Sequence, residues 1–138
     1  MDITKIPFNK YINIVKSNIN NNSLELAFSQ EMKNHIGTFH ASAQFALAEA
    51  CSGLALQNQF AEFADSAVPV LRKVETKFKK PASSGIKAEA NIDSETAEKF
   101  KLLFEKKGRA TIQVPVEVVD EKGVVTMVGN YEWFVQKL

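Results

Sequence analysis

A single charged side chain stands inside the most apolar part of the chain. Glu49 is the only formally charged residue between Lys33 and Glu62, and the segment 39–56 around it is rich in alanine, leucine and phenylalanine. An isolated carboxylate in apolar surroundings is costly unless it is protonated, paired or used in chemistry. Because desolvation raises the basicity of a carboxylate, Glu49 is a candidate general base or nucleophile. The structural alternative is an ion pair with Arg72 or with a partner subunit.

Other residue types that carry chemistry lie close to Glu49 in the sequence. His35 and His40 precede it, and the only cysteine, Cys51, follows it. His40 is a candidate active-site residue or a cap of the following helix, whereas His35 is expected in a surface loop. We expect Cys51 to be an unreactive core residue, because burial in apolar surroundings raises the pKa of a thiol. Two histidines and one cysteine form no known metal-ligand spacing, so no metal site is expected.

The composition excludes several classes of partner. The chain has 138 residues, of which 17 are basic and 16 acidic, and its net charge is +1. This balance indicates neither nucleic acid nor an anionic membrane as the main partner. No stretch is apolar and long enough to span a membrane, the start of the chain lacks the pattern of a signal peptide, and one cysteine forms no internal disulfide. We expect a cytoplasmic protein with one domain over residues 1–138.

The first half of the chain predicts a strand hairpin followed by a long helix. Residues 10–19 and 23–29 alternate with the period of strands, and the asparagines at 20–22 favour a turn. A polar loop over residues 30–38 follows. Apolar side chains cover nearly every face of the segment from about 40 to 60, which predicts a helix enclosed by other structure.

The second half predicts four more strands. Residues 68–79, 86–92, 109–119 and 124–136 have the alternating pattern. In the first of these strands, the residues expected to share one face are Val70, Val74, Thr76 and Phe78. The last two strands are joined by residues 120–123, which end in Gly123, where a hairpin turn needs positive φ.

A short helix is predicted between the two pairs of strands. Asp93 or Ser94 can cap its start, and Gly108 stands just past its end. Acidic residues fall in its first turn and lysines in its last, the order that the helix dipole favours. The residues expected to pack this helix against the core are Phe100, Leu103 and Phe104.

The predicted element order, β-β-α-β-β-α-β-β, places the protein in the α+β class. A curved antiparallel sheet of about six strands, wrapped around one long apolar central helix, buries that helix most economically. The sheet edges and the open side of such a wrap need covering. We therefore expect a homodimer, or a dimer of dimers that is a homotetramer, in which two sheets join or two helices abut.

The run from Asn34 to Glu49, NHIGTFHASAQFALAE, resembles the signature of the hotdog-fold acyl-CoA thioesterases. These include the phenylacetic-acid-pathway and 4-hydroxybenzoyl-CoA thioesterase-like enzymes and related uncharacterised hotdog domains. Their signature has an Asn and then Gly-x-x-His-Gly-Gly, with an acidic residue nine positions after the His. His40 and Glu49 have this spacing. Residues 78–81 and 107–110 also resemble segments of the family.

The resemblance implies a hotdog fold and hydrolysis of an acyl-CoA, or a similar acyl thioester, to free acid and thiol. Glu49 would act as general base or nucleophile, and the backbone N–H of Ala41 would polarise the thioester carbonyl at the helix start. His40 and Asn34 would orient the carbonyl and the water. Residues implied at the substrate are Gly37, Thr38, Ser42, Leu71, Lys79, Lys80 and Arg109. Coenzyme A would enter as part of the substrate, and no separate cofactor is expected.

The chain departs from the family pattern at two places. Ala41 and Ser42 stand where many relatives have Gly-Gly, and Leu71 stands where some have a hydroxyl residue. Two alternatives therefore stay open. The protein could bind acyl thioesters without hydrolysing them, or it could be a hydroxyacyl-thioester dehydratase that uses His35 and Glu49.

Overall fold

The computed structural model describes the whole chain, Met1 to Leu138. Three α-helices and six strands follow one another in the order α1 (Pro7–Tyr11), β1 (Val15–Lys16), β2 (Ser23–Leu26), α2 (Ala41–Gln59), β3 (Ala67–Phe78), β4 (Ile86–Ala90), α3 (Ser94–Lys107), β5 (Arg109–Val119) and β6 (Val125–Lys137). Short 3-10 helices cover Ile3–Lys5, Gln30–Met32 and Ala61–Phe63.

All six strands form one antiparallel sheet in the order β1-β2-β4-β5-β6-β3. The sheet curves around α2, which contacts β2, β4, β5 and β6. The predicted architecture, a six-stranded antiparallel sheet around one long apolar helix, is therefore confirmed.

The first segment differs from the prediction. Residues 10–19 were expected to form a strand, but helix α1 extends to Tyr11 and β1 contains only two residues. Pro7 stands at the first helical position, where its fixed φ suits the helix and its missing N–H costs nothing. Asn13 then takes a positive φ of 67° and ends the helical path. The alternation of apolar residues comes from Ile12 and Ile14, which are buried on either side of this turn.

Helix α2 is the centre of the core. Five of its residues have no exposed surface, and they follow one another at the helical spacing of three and four positions: Leu47, Ala48, Cys51, Ser52 and Ala55. One stripe of α2 is left uncovered by the sheet. It consists of side chains at helical spacing that are half-buried or exposed, namely Ser42, Phe45, Glu49, Gly53 and Gln57. We refer to these five residues as the α2 stripe. No helix of the chain is both long and apolar enough to cross a membrane.

Helix α3 begins and ends as predicted. The carboxylate of Asp93 accepts a hydrogen bond from the N–H of Thr96 at 2.7 Å, and Gly108 closes the helix with φ of 71°. Phe100 and Phe104 are buried, but Leu103 is 45% exposed, so its expected packing is wrong. The buried face of α3 instead follows Ala97, Phe100 and Phe104, at the helical spacing of three and four residues.

Strand β3 carries an irregularity that the alternating pattern does not reveal. Its pairing with β6 shifts between Leu71 and Lys73, so that Arg72 is an extra residue. A bulge of this kind exchanges the faces of the residues before and after it. As a result Leu71 is half-buried against the core and Val70 is 55% exposed, which corrects the expected face of Val70. Strand β3 pairs only with β6 and is an edge strand.

Candidate functional site

Glu49 lies in the middle of the α2 stripe with its carboxylate half-buried. It belongs to none of the ion pairs of the chain. Arg72, its expected alternative partner, instead places its guanidinium over the ring of Phe134, 5.3 Å from the ring centre. Desolvation by burial raises the pKa of the Glu49 carboxyl above its usual range. Within one chain Glu49 is therefore a desolvated carboxylate without a neutralising partner.

Two aromatic residues of β6 hold the α2 backbone on either side of Glu49. The hydroxyl of Tyr131 donates to the carbonyl of Phe45 at 2.9 Å, and the indole N–H of Trp133 donates to Ser52 Oγ at 2.9 Å. Ser52 Oγ in turn donates to the carbonyl of Glu49 at 2.7 Å. These contacts fix the position of Glu49 along and around the helix axis.

Neither Tyr131 nor Trp133 was predicted as a site residue from the sequence. The available signal was their spacing, because residues two apart in a strand face the same side and so face the same helix. Burial, and then electrostatic repulsion from the nearby acidic groups of Glu49 and Cys51, raise the pKa of Tyr131, so its hydroxyl stays protonated as a donor. Burial raises the pKa of Cys51 to about 12, as the sequence suggested, and its thiol is not available as a nucleophile.

The start of α2 has one unused hydrogen-bond donor. His40 caps the helix, since its Nδ1 accepts from the N–H of Ser42 at 3.0 Å. The N–H groups of Ala43 and Gln44 both donate to the carbonyl of His40. No carbonyl of the chain accepts from the N–H of Ala41. This N–H, at the positive end of the helix dipole, is free to bind a developing negative charge.

The cap also determines which nitrogen of the exposed His40 ring carries the proton. When Nδ1 accepts a hydrogen bond in a neutral imidazole, Nε2 carries the proton. His40 therefore offers a second donor beside the free N–H of Ala41. The hydroxyl side chain of Ser42 lies exposed at the same helix end.

Asn34 builds the turn that leads into α2. Its Oδ1 accepts from the N–H groups of Ile36 and Thr38, and its Nδ2 donates to Thr38 Oγ1 at 2.9 Å and to the carbonyl of Phe39 at 3.3 Å. Gly37 completes the turn with φ of +79° and open space around its α-carbon. Both Asn34 and Thr38 thus use their side chains to shape this turn, and His35 lies exposed in it.

A single chain does not bring the two halves of the candidate site together. Glu49 stands eight residues after Ala41 in the same helix, a separation of about 12 Å along the helix axis. Asn34 and His35 belong to the turn before the helix. The carboxylate and the free donors therefore lie at two places on α2.

The basic residues predicted near the substrate are also divided. The N–H groups of Lys79 and Lys80 donate to the carbonyl of Thr126, and Thr126 Oγ1 donates to Gln44 in the first turns of α2. These lysines thus lie at the end of the sheet where α2 begins. Arg109 starts β5 at the opposite end of the sheet, about 35 Å away along the strands.

Leu71 lies in β3 directly opposite Trp133, on the side of the sheet that faces α2. No hydroxyl stands at this position, as the sequence indicated. No group of three or more His, Cys, Asp and Glu side chains is arranged to hold a metal ion.

The chain matches the family described as "Domain of unknown function (DUF4442)" over residues 3–135, and it therefore belongs to that family. A comparison with curated proteins finds no match.

Solved structures share the fold of this chain at low sequence identity. A protein of unknown function from Pseudomonas aeruginosa, PA5026, described as a probable thioesterase, is 22% identical with a TM-score of 0.81, over 99% of this chain and 91% of that one. Thioesterase HI1161 from Haemophilus influenzae is 14% identical with a TM-score of 0.72, over 99% and 87%. BH2602 from Bacillus halodurans, solved with CoA, is 18% identical with a TM-score of 0.72, over 93% and 74%. These similarities show that the chain has the hotdog fold.

Proposed function

We propose that this protein hydrolyses an acyl-CoA, or a similar acyl thioester, with Glu49 as general base or nucleophile. The observation that carries the proposal is the half-buried Glu49 carboxylate, which has no ion-pair partner and whose pKa is raised by desolvation. A carboxylate kept in this state at a cost to stability is typical of catalytic acids and bases. The names of PA5026 and HI1161, and the CoA bound to BH2602, support this reaction class.

The site we propose forms between two copies of the chain. Phe45, a residue of the α2 stripe, lies midway between Ala41 and Glu49 along the helix. If two α2 helices pack antiparallel across a two-fold axis at Phe45, Glu49 of one copy comes beside Ala41 of the partner subunit. A homodimer of this kind closes the gap of about 12 Å that separates the two groups within one chain.

The chemistry then follows from the groups in this arrangement. The N–H of Ala41 and the Nε2–H of His40 donate to the thioester carbonyl oxygen and stabilise the negative charge that develops there. Glu49 accepts a proton from water as the water oxygen bonds to the carbonyl carbon. The tetrahedral intermediate collapses as the carbon–sulfur bond breaks, and the thiolate takes the proton from Glu49. The products are a carboxylic acid and free CoA.

Lys79 and Lys80, which follow the end of β3, are proposed to bind the phosphates of CoA. Lys79 and Lys80 are exposed and lie at the same end of the sheet as His40. Together with the positive end of the helix dipole they favour an anionic group there. Arg109, at the other end of the sheet, has no part in this proposal. Two further residues are proposed to contact the acyl thioester, namely Ser42 of the α2 stripe and Leu71 of β3.

The test measures release of free thiol from a panel of acyl-CoA esters by the purified protein and by Glu49→Gln. We expect hydrolysis of at least one ester and a fall in kcat of about 10²-fold or more in the variant. Glu98→Gln, an exposed glutamate of α3, is the matched control and should keep full activity.

Each alternative has its own outcome in this experiment. Full activity in Glu49→Gln would show that Glu49 is not the base. Binding of the esters without hydrolysis would favour the non-catalytic binder. Hydration of an enoyl thioester, lost in both His35→Ala and Glu49→Gln, would favour the dehydratase.

A further inference from the structure

An apolar cavity of about 300 Å³ lies one helical turn beyond Glu49. Its main apolar wall consists of Gly53, Leu56, Phe60, Phe63, Phe100 and Trp133. The 3-10 helix at the start of the chain closes one side, where Gln57 Nε2 donates to the carbonyl of Met1 at 2.6 Å. A cavity of this size and lining is the kind that holds an apolar ligand group.

The cavity is continuous with the α2 stripe that carries Glu49. Gly53 follows Glu49 by one turn on the same helix face, and it lies in both the stripe and the cavity wall. Trp133, across from Gly53, is tied through Ser52 to the carbonyl of Glu49. A substrate whose reacting carbon lies at Glu49 therefore has one apolar space directly beside it.

The far end of the cavity is closed by packed phenylalanine rings. The rings of Phe60 and Phe100 lie 4.6 Å apart, and those of Phe63 and Phe104 lie 4.7 Å apart. From Glu49 to Phe60 the rise along α2 is about 16 Å, which an extended alkyl chain of about twelve carbons covers. The rings set a limit to the length of any group that enters from Glu49.

Resting on the proposed thioester hydrolysis, we propose that this cavity binds the tail of a linear, saturated acyl chain of medium length, up to about twelve carbons. The chain passes Gly53 and Trp133 and ends against Phe60, Phe63 and Phe100. An aromatic acyl group such as benzoyl fits less well, since the wall from Gly53 to Phe60 extends about 10 Å along the helix and a single ring leaves much of it unfilled.

The size of the side chain at position 53 should control access to the cavity. A β-carbon there would meet the Trp133 ring at 3.5 Å, which is ordinary contact, so a methyl group fits and a larger side chain extends into the passage. Gly53→Leu should exclude long chains while it leaves short ones unaffected. Phe63→Ala, at a half-buried position, should lengthen the cavity.

The experiment uses a series of S-alkyl-CoA thioethers from butyl to hexadecyl, which have no carbonyl and are not hydrolysed. Trp133 is the only tryptophan, so its fluorescence reports occupancy of the cavity directly. We expect affinity to rise about two- to fourfold for each added methylene and to stop rising near twelve carbons. Gly53→Leu should weaken dodecyl-CoA binding about tenfold or more and butyl-CoA binding less than about twofold.

Phe63→Ala should move the length limit upward, and Leu102→Ala, at an exposed position on α3, should leave it unchanged. If Gly53→Leu does not fold, the comparison of Phe63→Ala with Leu102→Ala carries the test. Affinity independent of chain length, or a length limit unmoved by Phe63→Ala, would overturn the acyl cavity. Chain-length-dependent binding in a protein that hydrolyses no acyl-CoA would keep the cavity and overturn only the proposed reaction.

Discussion

At the scale of single residues, Glu49 combines a cost to stability with a capacity for chemistry. Its carboxylate is half-buried and pairs with no cation, so the folded chain disfavours the charged form. Between the ordinary pKa of a glutamate and the raised value, the folded state binds more protons than the unfolded state. Stability therefore falls as the pH rises through this window, and the cost is present in full above the raised pKa.

This sign leads to a prediction for Glu49→Gln. At neutral pH the variant should be more stable than the wild type, by no more than about 1 kcal/mol, because solvent still reaches the half-buried carboxylate. Below the ordinary pKa of a glutamate the difference should vanish. Urea unfolding at neutral and acidic pH and at one fixed protein concentration measures it. A structural carboxylate would give the opposite result, a variant less stable than the wild type at neutral pH.

Glu49 could be predicted as a site residue from the sequence, but the residues that contact its helix in the folded chain could not. A lone charge in an apolar segment is visible in the sequence, as is its distance from His40. The contacts of Tyr131 with Phe45 and of Trp133 with Ser52 depend on which strand packs on α2, which is settled by tertiary structure. The closing of the Asn34 side chain on its own turn is likewise a local geometry that residue type alone does not reveal.

At the scale of elements, the parts predicted correctly are those with local signals. Helix α3 has a capping Asp93 and a closing Gly108, and the β5–β6 hairpin turns at Gly123 with φ of +78°. The parts predicted wrongly depend on other signals. Ile12 and Ile14 have the two-residue spacing of a strand, so the sequence pattern did not reveal the helix that begins at Pro7. The bulge at Arg72 adds one residue to β3, so a strict alternation of faces assigns the residues before it to the wrong face.

The start of α2 is the element on which the chemistry depends, and His40 serves it in two ways. His40→Ala should cost about 1 kcal/mol of stability through loss of the cap, and about 10²-fold in kcat through loss of the Nε2–H donor. His40→Asn supplies an oxygen that can accept from the N–H of Ser42, so it should restore the stability but not the activity. Unfolding and thiol-release assays on both variants make this comparison. If His40→Asn recovers the activity, His40 acts only as a helix cap and its Nε2–H is not needed as a donor.

At the scale of the whole molecule, two uncovered features adjoin strand β6. Strand β3, which pairs with β6, has an unpaired edge, and the α2 stripe is linked to β6 through Tyr131. An open edge strand of this length favours pairing with a second copy. Tyr131 links the two features, because its hydroxyl reaches Phe45 and its backbone pairs with Val74. We therefore propose a two-fold axis that passes Phe45 on α2 and Val74 on β3.

Such an axis predicts which charges meet between the two copies. Antiparallel pairing of two β3 edges about Val74 sets Lys73 opposite Glu75 of the partner subunit, and symmetry makes this contact twice. Glu75→Lys should weaken dimerisation about tenfold or more, because each cross-strand pair then carries like charges. Lys73→Glu combined with Glu75→Lys should restore it. Both are made in a Glu132→Gln chain, since Glu132 pairs with Lys73 within one subunit and would repel a glutamate there.

Sedimentation of the variants at a series of protein concentrations measures the dimer dissociation constant. The reversal test depends on the register rather than on total charge, because the double variant has the same net charge as the Glu132→Gln chain. If the double variant dimerises as weakly as Glu75→Lys, the axis does not pass at Val74. The pairing of Glu49 with Ala41 of the partner subunit would then need a different dimer.

Thiol release by a mixture of Glu49→Gln and His40→Ala subunits provides an independent check of the shared site. In the shared site one of the two active centres of a mixed dimer has both groups intact, so each mixed dimer should have about half of the wild-type activity. Random mixing makes about half of the dimers mixed, so the mixture should recover about a quarter of the wild-type activity.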